Sequence, residues 1–450
     1  MSKIEVNEID KQSGSTLTLG GSGTAVTLAT GATQTGFGRT GTVDWQTGSI
    51  KTSTFTAANG EGYFADTSSG GFTMNLPAGT AGNIVSVVDY TNTFQTNALT
   101  ITPNGSQKLG GIAGSAIINT EGQSVTFVYV DDTEGWKNVQ DSTSNTTANP
   151  YIVASGGTVT ECGNCKIHTF TGPGTFTVSA TAACAANNVV SHLVLAGGGG
   201  TGGGQGTGGG GAGGFREVKS PVNPYTASPL DGYPSAPNRV TVTATAFPIA
   251  VGGGGAATPG GGDQGRGTPG SVSTFSTISS QGGGAGGSGG GGASPSGATG
   301  GSGGGGGGRC GAAGGNGNTP PVSPPQGGNG GNSTPSGDNP TVDSGGGGGG
   351  ATANGGSGSA NSTGGAGGAG ATTNISGSPV TRGGGGGAGS ETGGGGAGGS
   401  GGGGAGAGGP SADATPGTAN TGGGGGGKGA DAPSGGNGGS GLVIIRYRFQ

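Results

Sequence analysis

The chain has 450 residues, of which 28% are hydrophobic, 5% aromatic and 8% charged, and its formal net charge is -5. The length leaves room for two or three domains, but the composition is far from that of an average globular protein, in which roughly half of the residues are apolar. The small net charge argues against nucleic-acid binding, which needs a basic surface, and against ordinary disorder, which favours high net charge.

Residues 1–45 form the first segment, in which polar and apolar residues alternate in short stretches separated by glycine. This alternation predicts short strands at Ile4–Val6, Thr16–Leu19 and Ala25–Leu28. Such strands bury little surface within one chain, so we expect a homotypic partner, most simply in a homotrimer. The start of the chain lacks an apolar signal region, and the apolar runs are far shorter than the roughly 20 residues of a membrane helix. We therefore expect synthesis in a cytoplasm and no insertion into a membrane.

Residues 46–141 have the pattern of a conventional β-domain. Short β-prone stretches recur there with turn residues between them, which predicts a β-sandwich. The predicted strands are Ser53–Ala57, Gly62–Asp66, Phe72–Leu76, Asn83–Asp89, Ala98–Thr102, Ser124–Val130 and Trp136–Val139.

Residues 142–150 are polar and predict a linker. The glycine-rich domain, residues 151–450, follows and begins with predicted strands at Lys166–Thr171, Thr175–Ser179 and Val189–Leu195. Between the first two, Gly172-Pro173-Gly174 is typical of a hairpin turn. The last strongly β-prone stretch, Leu442–Phe449, is predicted to pair with one of these strands and so to close the glycine segment at its root.

The four cysteines leave their role open. Cys162 and Cys165 match the C-x-x-C form of redox enzymes and zinc sites, but the motif precedes a strand rather than opening a helix. Zinc would need two further ligands, for which Cys184, His168 and His192 are the near candidates. We favour reduced thiols or a structural disulfide over a metal, and expect no cofactor.

Most of the 125 glycines lie between Gly197 and Gly441, in pure runs of up to six residues. Where the runs are interrupted, the other residues often recur every third position. Examples are Thr363, Ala366 and Ala369; Ser434, Asn437 and Ser440; Asn329 and Asn332; and Ala285 and Ser288.

A period of three matches the polyproline II conformation, which has three residues per turn. Glycine helices of this kind, called polyglycine II, can pack closely because they lack a Cβ, and their backbone groups can then bond to neighbouring helices. Pure runs suit helices surrounded on all sides, and residues at every third position can face solvent. Collagen is rejected because it needs strict G-X-Y repeats and abundant proline. A flexible Gly-rich linker remains the alternative.

Loops that contain proline and charged residues interrupt the runs. They are Arg216–Asn238, Asp263–Ser271, Thr319–Gln326, Ser333–Ser344, Thr372–Arg382, Pro410–Thr421 and Ala430–Ser434. Two further strands are predicted at Arg239–Val251 and Ser271–Ser280. The predicted fold class is therefore all-β with a C-terminal polyglycine II bundle flanked by strands.

Several motifs in residues 152–450 resemble those of glycine-rich tail-fibre proteins of marine bacteriophages. They are Ile167–Val178, His192–Gly200, Gly208–Phe215 and Gly438–Tyr447. The stretches Lys3–Ile9 and Ser15–Leu19 also look like the starts of phage fibres, where attachment to the virion lies. A looser resemblance is to the detachable adhesins of T-even-type phages, which use polyglycine II sandwiches and bind host receptors through variable loops.

These resemblances imply a tail fibre on the virion, with its N-terminus on a phage tail or baseplate protein. Its loops would recognise a host polysaccharide or outer-membrane protein. Within the loops we expect the receptor-binding residues to include two aromatic and five charged side chains: Tyr225, Tyr233, Asp263, Arg266, Asp338, Asp343 and Asp413. Each also has a plain interpretation as a solvated loop residue.

Enzymatic function is not expected. The acidic residues are sparse and lie mostly in turns, whereas glycoside cleavage needs two rigidly placed carboxyl groups. No phosphate-binding loop occurs, since Gly429 follows Lys428 where that motif has Ser or Thr. The competing hypothesis is a structural or ice-binding glycine-rich protein without specific receptor recognition.

Overall fold

The fold is described by a computed structural model for residues 43–141, 149–259, 265–289, 295–308, 311–334, 344–359, 363–409, 413–430 and 433–450. Within these ranges there is no α-helix, and no helix is long and apolar enough to cross a membrane. Short 3-10 helices occur at Ala185–Asn188 and Ala236–Asn238. The three strands predicted before Val43 lie outside the described residues, as do positions 142–148 of the predicted linker.

The strands are numbered in chain order. They are β1 Asp44–Trp45, β2 Phe55–Thr56, β3 Glu61–Ala65, β4 Thr73–Asn75, β5 Ile84–Asp89, β6 Leu99–Thr102, β7 Lys108–Leu109, β8 Ile112–Ala113, β9 Ala116–Ile118, β10 Ser124–Asp131, β11 Gly135–Asp141, β12 Val153–Ser155, β13 Thr158–Cys162, β14 Cys165–Phe170, β15 Gly174–Ala180, β16 Val189–Leu195, β17 Phe215–Val218, β18 Val240–Thr241, β19 Ala246–Ala250, β20 Ser273–Phe275, β21 Ile278–Ser280, β22 Ala371–Thr373, β23 Val380–Arg382 and β24 Leu442–Arg448.

The β-domain consists of two sheets that enclose one apolar core. The seven-stranded sheet has the order β1-β3-β5-β10-β11-β7-β8, and the four-stranded sheet has the order β2-β4-β6-β9. Alternating residues of both sheets, among them Tyr63, Met74, Ile101, Phe127 and Trp136, meet between them. The sandwich-like arrangement of sheets agrees with the prediction, and all seven predicted strands are present.

The path of the chain through this domain differs from an antiparallel sandwich. Strands β1, β3 and β5 are parallel neighbours in one sheet, and β2, β4 and β6 are parallel neighbours in the other. The chain therefore alternates between the sheets as a short coil before β10 and β11 form an antiparallel hairpin. Strand alternation in sequence cannot reveal this, because it shows which residues face inward but not which strands pair.

In the glycine-rich domain, the closing strand β24 lies at the centre of the sheet β13-β14-β24-β16-β17. It pairs antiparallel with β14 on one side and with β16 on the other. The prediction that the last strand closes the glycine segment at its root is therefore confirmed. A second sheet, β12-β15-β19-β20-β21, packs against the first around a core that includes Phe176, Phe275 and Tyr447.

Four local predictions were wrong. Gly172-Pro173-Gly174 does not form a hairpin, because β14 and β15 belong to different sheets. The hairpin lies one strand earlier, where β13 and β14 meet at Cys162 and Cys165 and Gly163 has a positive φ of 56°. The single strands predicted at Arg239–Val251 and Ser271–Ser280 are each divided into two, and the loop predicted at Thr372–Arg382 contains the β22–β23 hairpin.

The glycine segments bond to one another with a period of three. In residues 208–213, successive backbone N–H groups donate to three different neighbouring segments, and the next three donate to the same three. The N–H groups of residues 208, 209 and 210 donate to the carbonyls of residues 287, 346 and 425. Those of residues 211, 212 and 213 donate to the carbonyls of residues 284, 349 and 422, and all six distances are 2.8–3.1 Å. Residues 345–350 show the same period: their N–H groups donate, in order, to the carbonyls of residues 389, 306, 356, 386, 303 and 353.

Each inner segment is thereby surrounded. Residues 206–212 also accept hydrogen bonds from three further segments, through the N–H groups of Gly199, Gly386 and Gly305 among others. The pure glycine runs 303–308, 345–350 and 422–427 are buried throughout. A six-residue run is two complete periods, so such a run satisfies its backbone groups in the interior without any side chain.

Residues at every third position lie on the outside of the bundle, as predicted for most of the interrupted runs. Thr363 and Ala366 are exposed, whereas Gly364 and Gly365 between them are buried. Asn329 and Asn332 are also exposed, and between them Gly331 is buried and Gly330 half-buried. Ala285 and Ser288 are a correction, because both are buried although they have the same spacing.

Candidate functional site

The bundle has two ends, which are distinguished by where the chain enters and leaves the bundle. Strand β16 leads directly into segment 197–202, and segment 435–441 leads directly back into β24. We call the end that meets these strands the sheet end, and the opposite end, which includes the turns 203–207 and 391–393, the far end. The interior between them consists mainly of glycine backbone with a few small buried side chains, so side chains able to recognise a ligand lie at the ends and on the outer faces.

Two of the five charged candidates lie at the far end. Arg266 and Asp413 are both exposed, next to segments that run back toward the sheets. Asp263, Asp338 and Asp343 lie outside the described residues. At this end the turn 203–207 is held to the neighbouring segment, because the backbone N–H of Lys428 donates to the Thr207 hydroxyl over 2.6 Å.

The aromatic candidates lie at the other end of the bundle. Tyr225 is half-buried and packs into an apolar cluster with Leu193 and Ile444. The guanidinium of Arg446 lies 5.0 Å from its ring centre, and burial raises the pKa of the Tyr225 hydroxyl. Tyr225 therefore contributes to the fold of its loop, and little of its ring is available for stacking on a ligand.

Tyr233 is also half-buried, and Arg239 covers its ring at 4.4 Å. Arg239 donates through Nε to the carbonyl of Tyr233 itself, at 2.7 Å. The pair is a local cation–π contact at the surface. The structure thus does not bring the two tyrosines together with Arg266 and Asp413, which lie at the opposite end.

A buried polar network fixes the loop 219–238 that contains both tyrosines. Glu217 is buried and accepts hydrogen bonds from the backbone N–H of Ser228 at 2.9 Å and from the hydroxyl of Thr373 at 2.5 Å. Burial raises the pKa of the Glu217 carboxyl. Arg382, also buried, lies close enough to interact electrostatically with it. Through its two hydrogen bonds, Glu217 links the loop to the β22–β23 hairpin.

Arg446 in the closing strand is a second anchor. It is buried, and its guanidinium donates to the carbonyls of Asn374, Ile375 and Pro224 at 3.3–3.4 Å. It therefore ties two loops at the sheet end to the central strand. Sequence reasoning missed this role, although an arginine within the apolar stretch Leu442–Phe449 was a visible indication that a buried polar partner was needed.

The two histidines are not arranged for a metal. His168 donates from Nδ1 to the carbonyl of Gly156 at 2.7 Å, so Nε2 accepts from the hydroxyl of Tyr447 at 3.0 Å. His192 is fully buried, and neither ring nitrogen has a hydrogen-bond partner of good geometry within the described ranges. Burial, with a smaller contribution from Arg216, lowers the pKa of His192 to about 3.

Three of the four cysteines lie within the described ranges. Cys162 and Cys165 face each other across the hairpin turn, and with Cys184 they are free thiols. The buried Cys165 thiol lies 3.8 Å from the side-chain oxygen of Asn223. In the part of the chain that the structure describes, no three His, Cys, Asp or Glu side chains are grouped to hold a metal ion. Cys310 lies outside it.

Comparison with known protein families yields a match. The model of a glycine-rich domain family matches residues 169–448, which is more than half of the chain. No curated protein matches the sequence. The matched range begins in β14 and ends in β24, so it coincides with the sheet and bundle unit described above.

Proposed function

The chain belongs to the glycine-rich domain family, and on that premise we propose that it is a receptor-binding adhesin of a bacteriophage tail fibre. In this proposal the N-terminal residues attach to a tail or baseplate protein of the virion, and three chains associate. The glycine-rich domain then presents its far-end loops to a host polysaccharide or outer-membrane protein. The protein acts by binding and catalyses no reaction.

One observation supports this proposal above the others. The glycine segments use their backbone groups on one another, so the bundle offers a rigid scaffold, and recognition is left to the loops at its ends. Loops on a rigid scaffold are where binding residues concentrate in proteins generally. At the far end, Arg266 and Asp413 expose charged side chains.

We also propose that the segments are polyglycine II helices. The support is the period of three in their hydrogen bonding, which matches the three residues per turn of this conformation. Neighbouring segments run both parallel and antiparallel: residues 209 and 212 donate to 346 and 349, whereas 210 and 213 donate to 425 and 422. A conformation with threefold symmetry about its axis allows both directions in one bundle.

The adhesin proposal is tested by measuring the binding of labelled full-length protein to a panel of marine bacterial strains. We expect binding to some strains and not others. The double variant Arg266→Ala, Asp413→Ala should bind several-fold less, whereas Arg239→Ala, at the sheet end, should bind as the parent does. Equal loss in both variants, or uniform binding to every strain, would count against recognition by the far end.

The ice-binding alternative is favoured by one feature of the outer face. Thr363, Ala366 and Ala369 form a row at three-residue spacing, and the segment beside it, bonded through Gly364 and Gly367, exposes Ala397 and Ser400. Regular rows of small residues are what a flat ice-binding face requires. An ice-recrystallisation assay distinguishes the two functions, since the adhesin proposal predicts no inhibition.

A further inference from the structure

A preformed groove lies at the sheet end, away from the far-end loops. It has a volume of about 410 Å³ and runs between the tip of loop 219–238, the loop 318–326 and the turn 351–354. This volume falls within the range of about 300–1,000 Å³ that is typical of small-molecule sites. The residues that matter below are Pro229, Leu230 and Pro325 on the apolar side and Asn329 and Asn354 on the polar side.

The walls of the groove are fixed by buried hydrogen bonds. Asn238 is buried and donates through Nδ2 to the carbonyl of Ser323 at 2.8 Å, which holds loop 219–238 against loop 318–326. The side-chain oxygen of Asn318 accepts from the backbone N–H groups of Val322 at 3.0 Å and Gln326 at 3.2 Å. A ligand would therefore meet a surface that is already in place and would not have to order these loops.

Two asparagine side chains hold their Nδ2 groups in fixed positions, where each can donate hydrogen bonds to a ligand. The Oδ1 atom of Asn354 accepts from the backbone N–H of Asn329 at 2.8 Å, and the Oδ1 atom of Asn329 accepts from the N–H of Gly317 at 2.8 Å. Each bond fixes the plane of its amide. Both side chains are exposed, and neither Nδ2 group donates to another described residue.

The charge and polarity of the residues that line the groove determine which class of ligand it can bind. The described residues that line the groove contribute no carboxylate, ammonium or guanidinium group. A charged ligand would therefore lose hydration without gaining an ion pair. Proline and leucine offer C–H surface, and the two amides offer donors at fixed positions. A sugar ring presents the complementary groups, an apolar C–H face and hydroxyl acceptors. We propose that this groove binds an uncharged oligosaccharide.

This inference does not rest on the far-end loops, so the two proposals can fail separately. The test titrates full-length protein with maltotetraose, cellotetraose and mannotetraose, and with the acidic tetragalacturonate, up to about 10 mM, beyond the range of a weak millimolar Kd. Amide NMR shifts report where each sugar binds. We expect at least one uncharged sugar to shift the amides of Asn329 and Asn354 and to bind more tightly than tetragalacturonate.

Matched variants locate the site. Asn329→Asp and Asn354→Asp keep the oxygen that accepts the backbone N–H but replace the free donor by an acceptor, so each should weaken binding about tenfold or more. Asn437→Asp is the control, because Asn437 accepts from the N–H of Ala257 in the same way but does not line the groove. No shift with any uncharged sugar, tighter binding of tetragalacturonate, or equal weakening by Asn437→Asp would overturn the proposal.

Discussion

Asparagine, serine and threonine side chains complete the hydrogen bonding of the outer glycine segments. An outer segment lacks a neighbour on one side, so some of its N–H groups would have no protein acceptor. Side chains on adjoining segments accept from them: Asn437 from Ala257, Asn332 from Gly314, Thr268 from Ala256 and Thr415 from Ala405, at 2.7–2.9 Å. The residues at every third position are therefore partly structural.

Replacing Asn437 by alanine tests this role. The Ala257 N–H loses its acceptor, so we expect the free energy of unfolding to fall by about 1 kcal/mol, with faster hydrogen exchange at Ala257. Ser434→Ala is the control, because Ser434 lies on the same exposed row and makes no hydrogen bond to another residue of the described ranges. Urea unfolding of the three proteins measures the difference; equal stabilities would show that water replaces the side chain without cost.

His192 makes stability depend on pH. Its pKa is lowered to about 3 in the folded protein, so the unfolded chain takes up a proton first as the pH falls below its ordinary value near 6.5. The contribution of His192 to the free energy of unfolding is fully present above that value and is lost as the pH falls toward about 3. Between about pH 7 and about pH 5 the loss amounts to about 2 kcal/mol.

The matched variant for this prediction is His192→Leu, which removes the titrating group and two buried nitrogens without partners. Its stability should change less between these pH values than that of the parent. The raised pKa of Glu217 has the opposite effect, because it makes the folded protein more stable as the pH falls. Glu217 is present in both proteins, so its effect cancels in the comparison. Parallel pH profiles from urea unfolding would refute the role of His192.

At the scale of elements, inner and outer glycines have different requirements. A Cβ on Gly347 would overlap the carbonyl oxygen of Ala366, whereas nothing lies within 4 Å of the position where a Cβ on Gly253 would be. Glycine is thus obligatory where segments touch backbone to backbone. At exposed positions it adds conformational freedom to the unfolded chain without a packing reason.

Two alanine variants separate these cases. Gly347→Ala should destabilise the domain by about 3 kcal/mol or more, because the neighbouring backbone must move. Gly253→Ala should leave stability unchanged or raise it by about 0.4–1 kcal/mol, because it restricts the unfolded chain. Thermal unfolding of both variants against the parent measures the effect. If Gly347→Ala unfolded at the parent's temperature, the close packing of inner segments would be wrong.

The sequence predicts elements better than it predicts their partners. Strand β24 and the outward position of Ala366 follow from composition and from the period of three. The separation of β14 from β15 does not, because Gly172-Pro173-Gly174 marks a turn without stating which sheet follows it. Tyr225 was a binding candidate because it lies in a predicted loop. Its packing against Arg446 could not be predicted, because it is a contact between distant parts of the chain.

At the scale of the whole molecule, the sheets and the bundle have separate tasks. Fixing a glycine backbone costs roughly 1–2 kcal/mol per residue, and each hydrogen bond returns only about 0.5–1.5 kcal/mol net. The bundle therefore depends on complete pairing and on its covalent connection to the apolar cores around Phe176 and Leu193. Strand β24 provides that connection at the last step of the chain.

Amide hydrogen exchange, resolved by NMR, tests most directly whether the glycine segments form this hydrogen-bonded bundle. If the bundle forms, the amides of residues 208–213 and 345–350 exchange slowly, near the rate set by unfolding of the whole domain. The exposed Gly394 should exchange fast, since its N–H donates to no described group. Complete exchange of the inner glycine amides within seconds would contradict the account.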